Sequence, residues 1–284
     1  KDFKIDNKDL TIDVKIESES LCPRYSGVSI SNITVNESPD WLKHKLLSIG
    51  INPINNIVDV TNYVLHETGQ PLHAFDTKKI LGKEIIVKTL SNDTNFITLD
   101  ESNRKLSDND LMICNAKEPM CIAGVFGGLD SGVTDNTNSI FIESAYFDPT
   151  SIRKTAKYHK LNTDASFRYE RGCDPNITVY ALKRAALLIQ ELCGGEISSD
   201  VVDVYPNPIE DFSINFLFNN LNKLIGEELD RNLVKSIIKN LEIKIIEEND
   251  DSLSLLVPPF RTDVRREVDV IEDILRIYGF NSIK

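Results

Sequence analysis

Apolar residues follow two rhythms along this chain. Alternation marks strands, and spacing by three and four marks helices. Residues 11–16 alternate as a strand does, and residues 28–35 read as another. Ser38 is placed to cap a helix with Pro39 at its first position and a stripe of Leu42, Leu46 and Ile49, ended by Gly50. A second helical pattern starts near Val58 and stops at Gly69, just before Pro71. Residues 84–90, 111–115, 120–124 and 140–146 are strand-like. The longest helix expected is capped by Asp174, carries Ala181, Ala185, Leu188, Ile189 and Leu192 on one face, and stops at Gly194–Gly195. Strands and helices mix without a regular βαβ beat, which predicts an α+β fold with a mixed sheet.

A composition break near Tyr205 divides the chain. Residues 206–211 combine two prolines, an asparagine and acids, a linker signal between a domain over 1–205 and a second over 212–284. In the second, a strand over 212–218 precedes helices over 221–225 and 231–241. Residues 243–248 and 252–257 form a hairpin, and a helix over 268–278 closes the domain. This is a small winged helix-turn-helix-like pattern. A DNA-reading helix needs exposed Arg, Asn or Gln, and the apolar, weakly basic segment over 230–242 favours a structural spacer over DNA binding.

Composition narrows the function. The 284 residues are 41% hydrophobic, enough for packed cores, with no run long enough to span a membrane. The five cysteines are odd in number and have no CxxC spacing, which suits a reducing cytoplasm. A first residue other than Met, and an end just after a helix, suggest a piece of a longer chain. With 44 acidic and 32 basic residues the net charge is −12, so bulk electrostatics cannot hold a phosphate backbone. If this chain meets a nucleic acid, it contacts only a local part of it.

No GxSxG, HExxH, P-loop or kinase signature occurs, and no Ser-His-Asp set can be assembled from the sequence. Any hydrolysis must rest on positioning and backbone polarity. Four places carry candidate chemistry. His73 follows a Gly-x-Pro turn; alone it reads as a turn histidine bonded to backbone. The glycine string 123–128 either forms a tight turn or lets a ligand approach backbone N–H groups. Glu143 ends an apolar strand and needs a partner, either a cation or a ligand hydroxyl. Arg168 and Arg171 can reach a phosphate or pair with acids. Downstream, Asp263, Asp269, Glu272 and Asp273 cluster around a helix start. Spacing alone favours pairing with Arg261, Arg265 and Arg266, and magnesium is the other reading.

Four strings in order decide among these. VDVTNYVLHETGQPLHAFD, IAGVFGGLDSGVTDNT, NTDASFRYERGCDP and VPPFRTDVRREVDVIEDILRIYGF resemble the editing domain, and the helical module after it, of the bacterial phenylalanyl-tRNA synthetase β-subunit family. The resemblance implies hydrolysis of mischarged tyrosyl-tRNA(Phe) within an α2β2, ATP-dependent ligase. It implies His73 as an orienting group and Glu143 as acceptor of the tyrosine hydroxyl. Thr61, Asn62, Pro71, Ala123, Gly124, Thr163 and Ala165 would line the same pocket. It implies Mg2+ on Asp263, Asp269, Glu272 and Asp273 at the contact with the α subunit, and the tRNA(Phe) 3′ end as a partner. Two departures stand out: Phe126 occupies a usual methionine, which changes local packing, and Asp273 replaces a usual glutamate, which shortens one ligand. The competing expectation is a non-catalytic scaffold for assembly and tRNA orientation.

Overall fold

A computed structural model describes residues 2–283. The chain divides into two compact units, one running to Pro208 and one from Ile209. In the first unit come β1 (Asp13–Ile16), β2 (Arg24–Ser31), α1 (Asp40–Ser48), α2 (Asn56–Thr68), β3 (Leu72–Asp76), β4 (Glu84–Thr89), β5 (Asn95–Ile97) and β6 (Asn103–Lys105). Then follow β7 (Leu111–Cys114), β8 (Pro119–Ile122), β9 (Phe126–Gly127), β10 (Ser139–Tyr146), α3 (Pro149–His159), α4 (Asp164–Tyr169), α5 (Thr178–Cys193), β11 (Glu196–Ile197) and β12 (Val202–Val204).

One sheet runs β1-β4-β7-β8-β9, with β1 parallel to β4 and the remaining pairs antiparallel. The other runs β11-β2-β10-β3, with β12 also on β2, all antiparallel. The fold is therefore α+β with a mixed sheet. Between the sheets Tyr25, Phe75 and Phe141 meet Val87, Ile113 and Ile122. On the far side of the second sheet, Val28, Ile30, Ile140 and Ile142 meet Leu46 of α1, Val60 of α2 and Ala185 of α5. Strand β10 is buried on both faces, which is why its apolar residues Ile140, Phe141, Ile142 and Ala145 do not alternate with exposed polar ones.

Local chemistry sets the helix ends. Asn55 caps α2, its side chain accepting the Ile57 and Val58 N–H groups, and Gly69 ends α2 at φ +78°. Two expected caps are corrected. Pro39 rather than Ser38 precedes α1, because the Ser38 hydroxyl donates to buried Asp59 at 2.5 Å. Ile49 leaves the apolar stripe and is half exposed past the end of α1. Asp174 accepts the Asn176 N–H at 2.8 Å, which shapes a turn and delays the start of α5 to Thr178.

The second unit holds β13 (Phe212–Leu217), α6 (Phe218–Ile225), α7 (Arg231–Asn240), β14 (Lys244–Glu248), β15 (Ser252–Val257) and α8 (Glu267–Tyr278). Its antiparallel sheet runs β13-β15-β14. Leu221, Val234, Ile238, Leu255, Ile271 and Ile274 form its core. The expected hairpin thus gains β13 as a third strand on β15.

Candidate functional site

Cross-strand register builds the centre of this site. Glu143 on β10 stands opposite His73 on β3 and opposite Gly27 on β2. Because side chains alternate, Phe141, Glu143 and Ala145 face the layer between the sheets. The turn before β3 is anchored by Gln70, whose buried side-chain amide donates to the Ala145 carbonyl at 2.8 Å.

Glu143 is buried, and its Oε2 accepts the Tyr25 hydroxyl at 2.8 Å. Burial pushes its carboxyl up to about 7, against the opposite pull of the Tyr25 hydrogen bond. The His73 ring packs edge-on to Phe75 with centroids 4.5 Å apart. Its Nε2 is buried and has no partner among the described residues. Burial lowers its pKa to about 4, so the ring is neutral at pH 7. Gly127 leaves space beside His73, whereas Gly27 makes room for the Phe141 ring. A Cβ at Gly127 would stand 3.7 Å from His73 Cε1, and one at Gly27 would overlap the Phe141 ring at 2.0 Å. A neutral imidazole keeps one N–H and one lone pair. Beside it stands a carboxyl with one oxygen used by Tyr25. This set can hold hydroxyl groups and a water molecule and can move a proton near neutral pH.

The other expected residues divide into two groups. The Pro71 carbonyl accepts from Tyr169 Oη at 3.3 Å and the Gln70 amide at 3.1 Å. Ala123 and Gly124 follow β8; Ala123 is fully buried in the inter-sheet core. Gly124 has φ +64°, and a Cβ there would lie 2.9 Å from both Phe147 and Tyr169. That glycine is therefore required by the chain's own aromatic packing. Thr163 caps α4 and donates to the Val125 carbonyl at 3.0 Å, while Ala165 packs on the same core. Thr61 and Asn62 belong to α2, which covers the opposite face of the second sheet. The Thr61 hydroxyl donates within its own helix to the Val58 carbonyl at 2.7 Å. Tyr25 and Gly27 were not singled out in the sequence. Their roles arise from register and sheet stacking, for which a single sequence carries no signal.

The acids of the second unit are taken by arginines. Arg261 pairs with Asp263 at 3.3 Å and with Asp273 at 2.5 Å. Asp269 pairs with Arg266 at 2.9 Å and accepts the Arg265 and Arg266 N–H groups at the start of α8. Glu272 pairs with Arg276 at 2.6 Å. Among the described residues no three His, Cys, Asp or Glu side chains gather closely enough to hold a metal ion. The four acids expected for magnesium therefore do not gather into one set among the described residues. Asp269 serves as a helix cap and the others as ion-pair partners, so the donors of this chain do not fit Mg2+ by themselves.

Residues 21–194 match the family described as B3/4 domain, and residues 214–280 match the tRNA synthetase B5 domain. A relative from Bacteroides thetaiotaomicron, named phenylalanine–tRNA ligase beta subunit, is 57% identical over 99% of this chain and 34% of its own length. One of the same name from Porphyromonas gingivalis is 53% identical over 97% of this chain and 34% of its own length. The chain belongs to the phenylalanine–tRNA ligase β-subunit family. It spans about a third of the length of the curated relatives it matches. A solved N-terminal fragment of the phenylalanyl-tRNA synthetase beta-subunit from Pyrococcus horikoshii aligns with 98% of this chain and 77% of its own length. Its identity is 14% and its TM-score 0.46, too remote to inform the site. No helix among the described residues is long and apolar enough to cross a membrane.

Proposed function

We propose that the first unit is a post-transfer editing domain that hydrolyses tyrosyl-tRNA(Phe) within an α2β2 phenylalanine–tRNA ligase. The observation that carries this reading is the cross-strand pair of half-buried His73 and buried Glu143 between two sheets, with a His73 Nε2 that has no partner among the described residues. Tyrosine and phenylalanine differ by one hydroxyl. A buried acceptor for that hydroxyl rejects the ring lacking it by roughly 10⁴–10⁵-fold, because the acceptor is otherwise unpaired. Glu143 is suited to be that acceptor, since Tyr25 takes Oε2 and leaves Oε1 for the substrate phenol. His73, neutral at pH 7, orients the attacking water, with a vicinal ribose hydroxyl of the tRNA assisting. The tRNA(Phe) 3′ end and the α subunit are the partners in this reading. ATP serves the aminoacylation step elsewhere in the enzyme.

The test uses the complete ligase and tRNA(Phe) charged with either amino acid. Glu143→Ala should slow tyrosyl ester hydrolysis by about 10²–10³-fold, the loss of a charge-assisted hydrogen bond plus desolvation, and leave residual phenylalanyl hydrolysis unchanged. Tyr25→Phe, which frees Oε2, should retain tyrosyl hydrolysis. Equal slowing of both esters in Glu143→Ala would remove the specificity role.

A further inference from the structure

A small cavity of about 250 Å³ lies at the far end of α4 from Thr163. It is lined by Phe167, Arg168, Arg171 and Gly172 on one side and by Gly69, at the end of α2, on the other. Its size is below the roughly 300–1,000 Å³ of ligand clefts, so it takes a phosphate-sized group and leaves an attached base outside, against the Phe167 ring.

Two features distinguish this cavity in a chain of net charge −12. First, the Arg168 guanidinium has no hydrogen bond or ion pair among the described residues, and its Nε is buried without a partner. Burying such a donor costs free energy unless a ligand satisfies it. A planar guanidinium fork matches phosphate oxygens in pairs. Second, Arg171 lies over the Phe167 ring at 3.6 Å from its centroid, while it also pairs with Glu170. Phe167 is still 42% exposed. A half-exposed ring backed by a cation is a stacking surface for a nucleobase. The carboxyl of Asp174, also at the cavity, is pushed up by burial and is held by the Asn176 N–H.

Location adds the third element. α4 spans six residues, roughly 9 Å of rise, and its first turn holds Thr163 and Ala165 at the inter-sheet core. We infer that this cavity binds one nucleotide of single-stranded RNA, its phosphate on Arg168 and its base on Phe167, on the flank of the core that holds His73 and Glu143. The identification of the RNA as the 3′ end of an aminoacyl-tRNA rests on the editing reading above. The phosphate chemistry itself does not.

The experiment measures binding of a fluorescein-labelled single-stranded RNA ending in CCA to the full 284-residue chain, by anisotropy over a salt series. Arg168→Gln should weaken binding by about tenfold or more and reduce the salt slope by about one. Arg168→Lys should keep the salt slope while losing part of the affinity. Phe167→Ala, at an exposed ring, should weaken binding by about fivefold or more at unchanged salt slope. Circular dichroism melts check that each variant folds; if Arg168→Gln does not fold, Arg168→Lys and Phe167→Ala decide. RNA affinity unchanged in the folded variants overturns the inference. So does tight, Arg168-dependent binding of AMP or inorganic phosphate without RNA binding, which would make this a free-phosphate site. Uncharged RNA needs no ester hydrolysis. Arg168-dependent binding with no Glu143-dependent hydrolysis would therefore sink the editing reading alone.

Discussion

The first unit sets two histidines beside two buried acids, His159 buried and His73 half-buried, and the two pairs are built differently. His159 Nε2 lies 2.6 Å from Asp110 Oδ2. Asp110 also accepts the Thr155 hydroxyl at 2.9 Å and the Ser107 N–H at 2.8 Å. Both oxygens of that acid find partners, and the set ties α3 to the loop before β7. His73 and Glu143 stand in direct register, yet among the described residues Nε2 has no partner and the acid is held only by Tyr25. A satisfied buried pair stabilises the fold. An unsatisfied one leaves donors and acceptors for a ligand, at a cost in stability that only function explains.

The largest expected contrast is in activity. His73→Ala should lower tyrosyl-tRNA(Phe) hydrolysis by the complete ligase by about 10²–10⁴-fold, the range for a positioned proton-handling group, and leave the melting temperature nearly unchanged. Asp110→Ala should do the reverse. It strands His159 and two hydrogen-bond donors, and should cost about 3–5 kcal/mol in urea denaturation. A strongly destabilised His73→Ala, or a neutral Asp110→Ala, would erase the distinction between the two sites.

Titration should sharpen the contrast next. Folded Glu143, near 7 rather than 4.5, holds its proton more tightly than the unfolded chain does. Its contribution to stability is therefore full below pH 4.5 and lost as pH rises toward 7. Folded His73, near 4 rather than 6.5, binds its proton more weakly, so its contribution appears as pH rises from 4 to 6.5. The slopes oppose each other in the native chain. Relative to it, Glu143→Gln should gain stability from low to neutral pH, and His73→Phe should lose it. Each change should be about 3 kcal/mol, read from urea midpoints at matched pH. Parallel curves for all three proteins would mean that neither group carries its shifted pKa.

The smallest contrast separates two glycines of one string. Gly124→Ala should destabilise by about 2 kcal/mol, since φ is positive and the methyl meets Phe147 and Tyr169. Gly127→Ala meets only His73 Cε1 at an ordinary 3.7 Å. It should shift stability by about 0.5 kcal/mol or less and reduce hydrolysis through the lost space. Thermal melts paired with hydrolysis rates read both effects. A harmless Gly124→Ala would show that the turn can relax.

Much of this architecture was legible in the residues themselves. The Gly69 stop, the apolar run of β10 and the hairpin of the second unit are local matters of backbone freedom and side-chain period, which one sequence carries in full. Caps were harder, because Ser38 and Asp174 had competing partners, one of them distant in the chain. The candidate site was legible as residue types. His73, Glu143 and the glycine string stand out by residue type and are joined into one site only by the family resemblance, whereas Tyr25 and Gly27 carry no such mark. Charge spacing correctly favoured arginine pairing for Asp263, Asp269 and Asp273. Tertiary structure alone decided that Glu143 faces His73, that Tyr25 occupies one carboxyl oxygen, and that the Arg168 Nε is buried without an acceptor among the described residues. Each depends on strand register or on packing between segments remote in sequence. A slip of one residue would turn Glu143 to the other face of its sheet without altering a single local propensity.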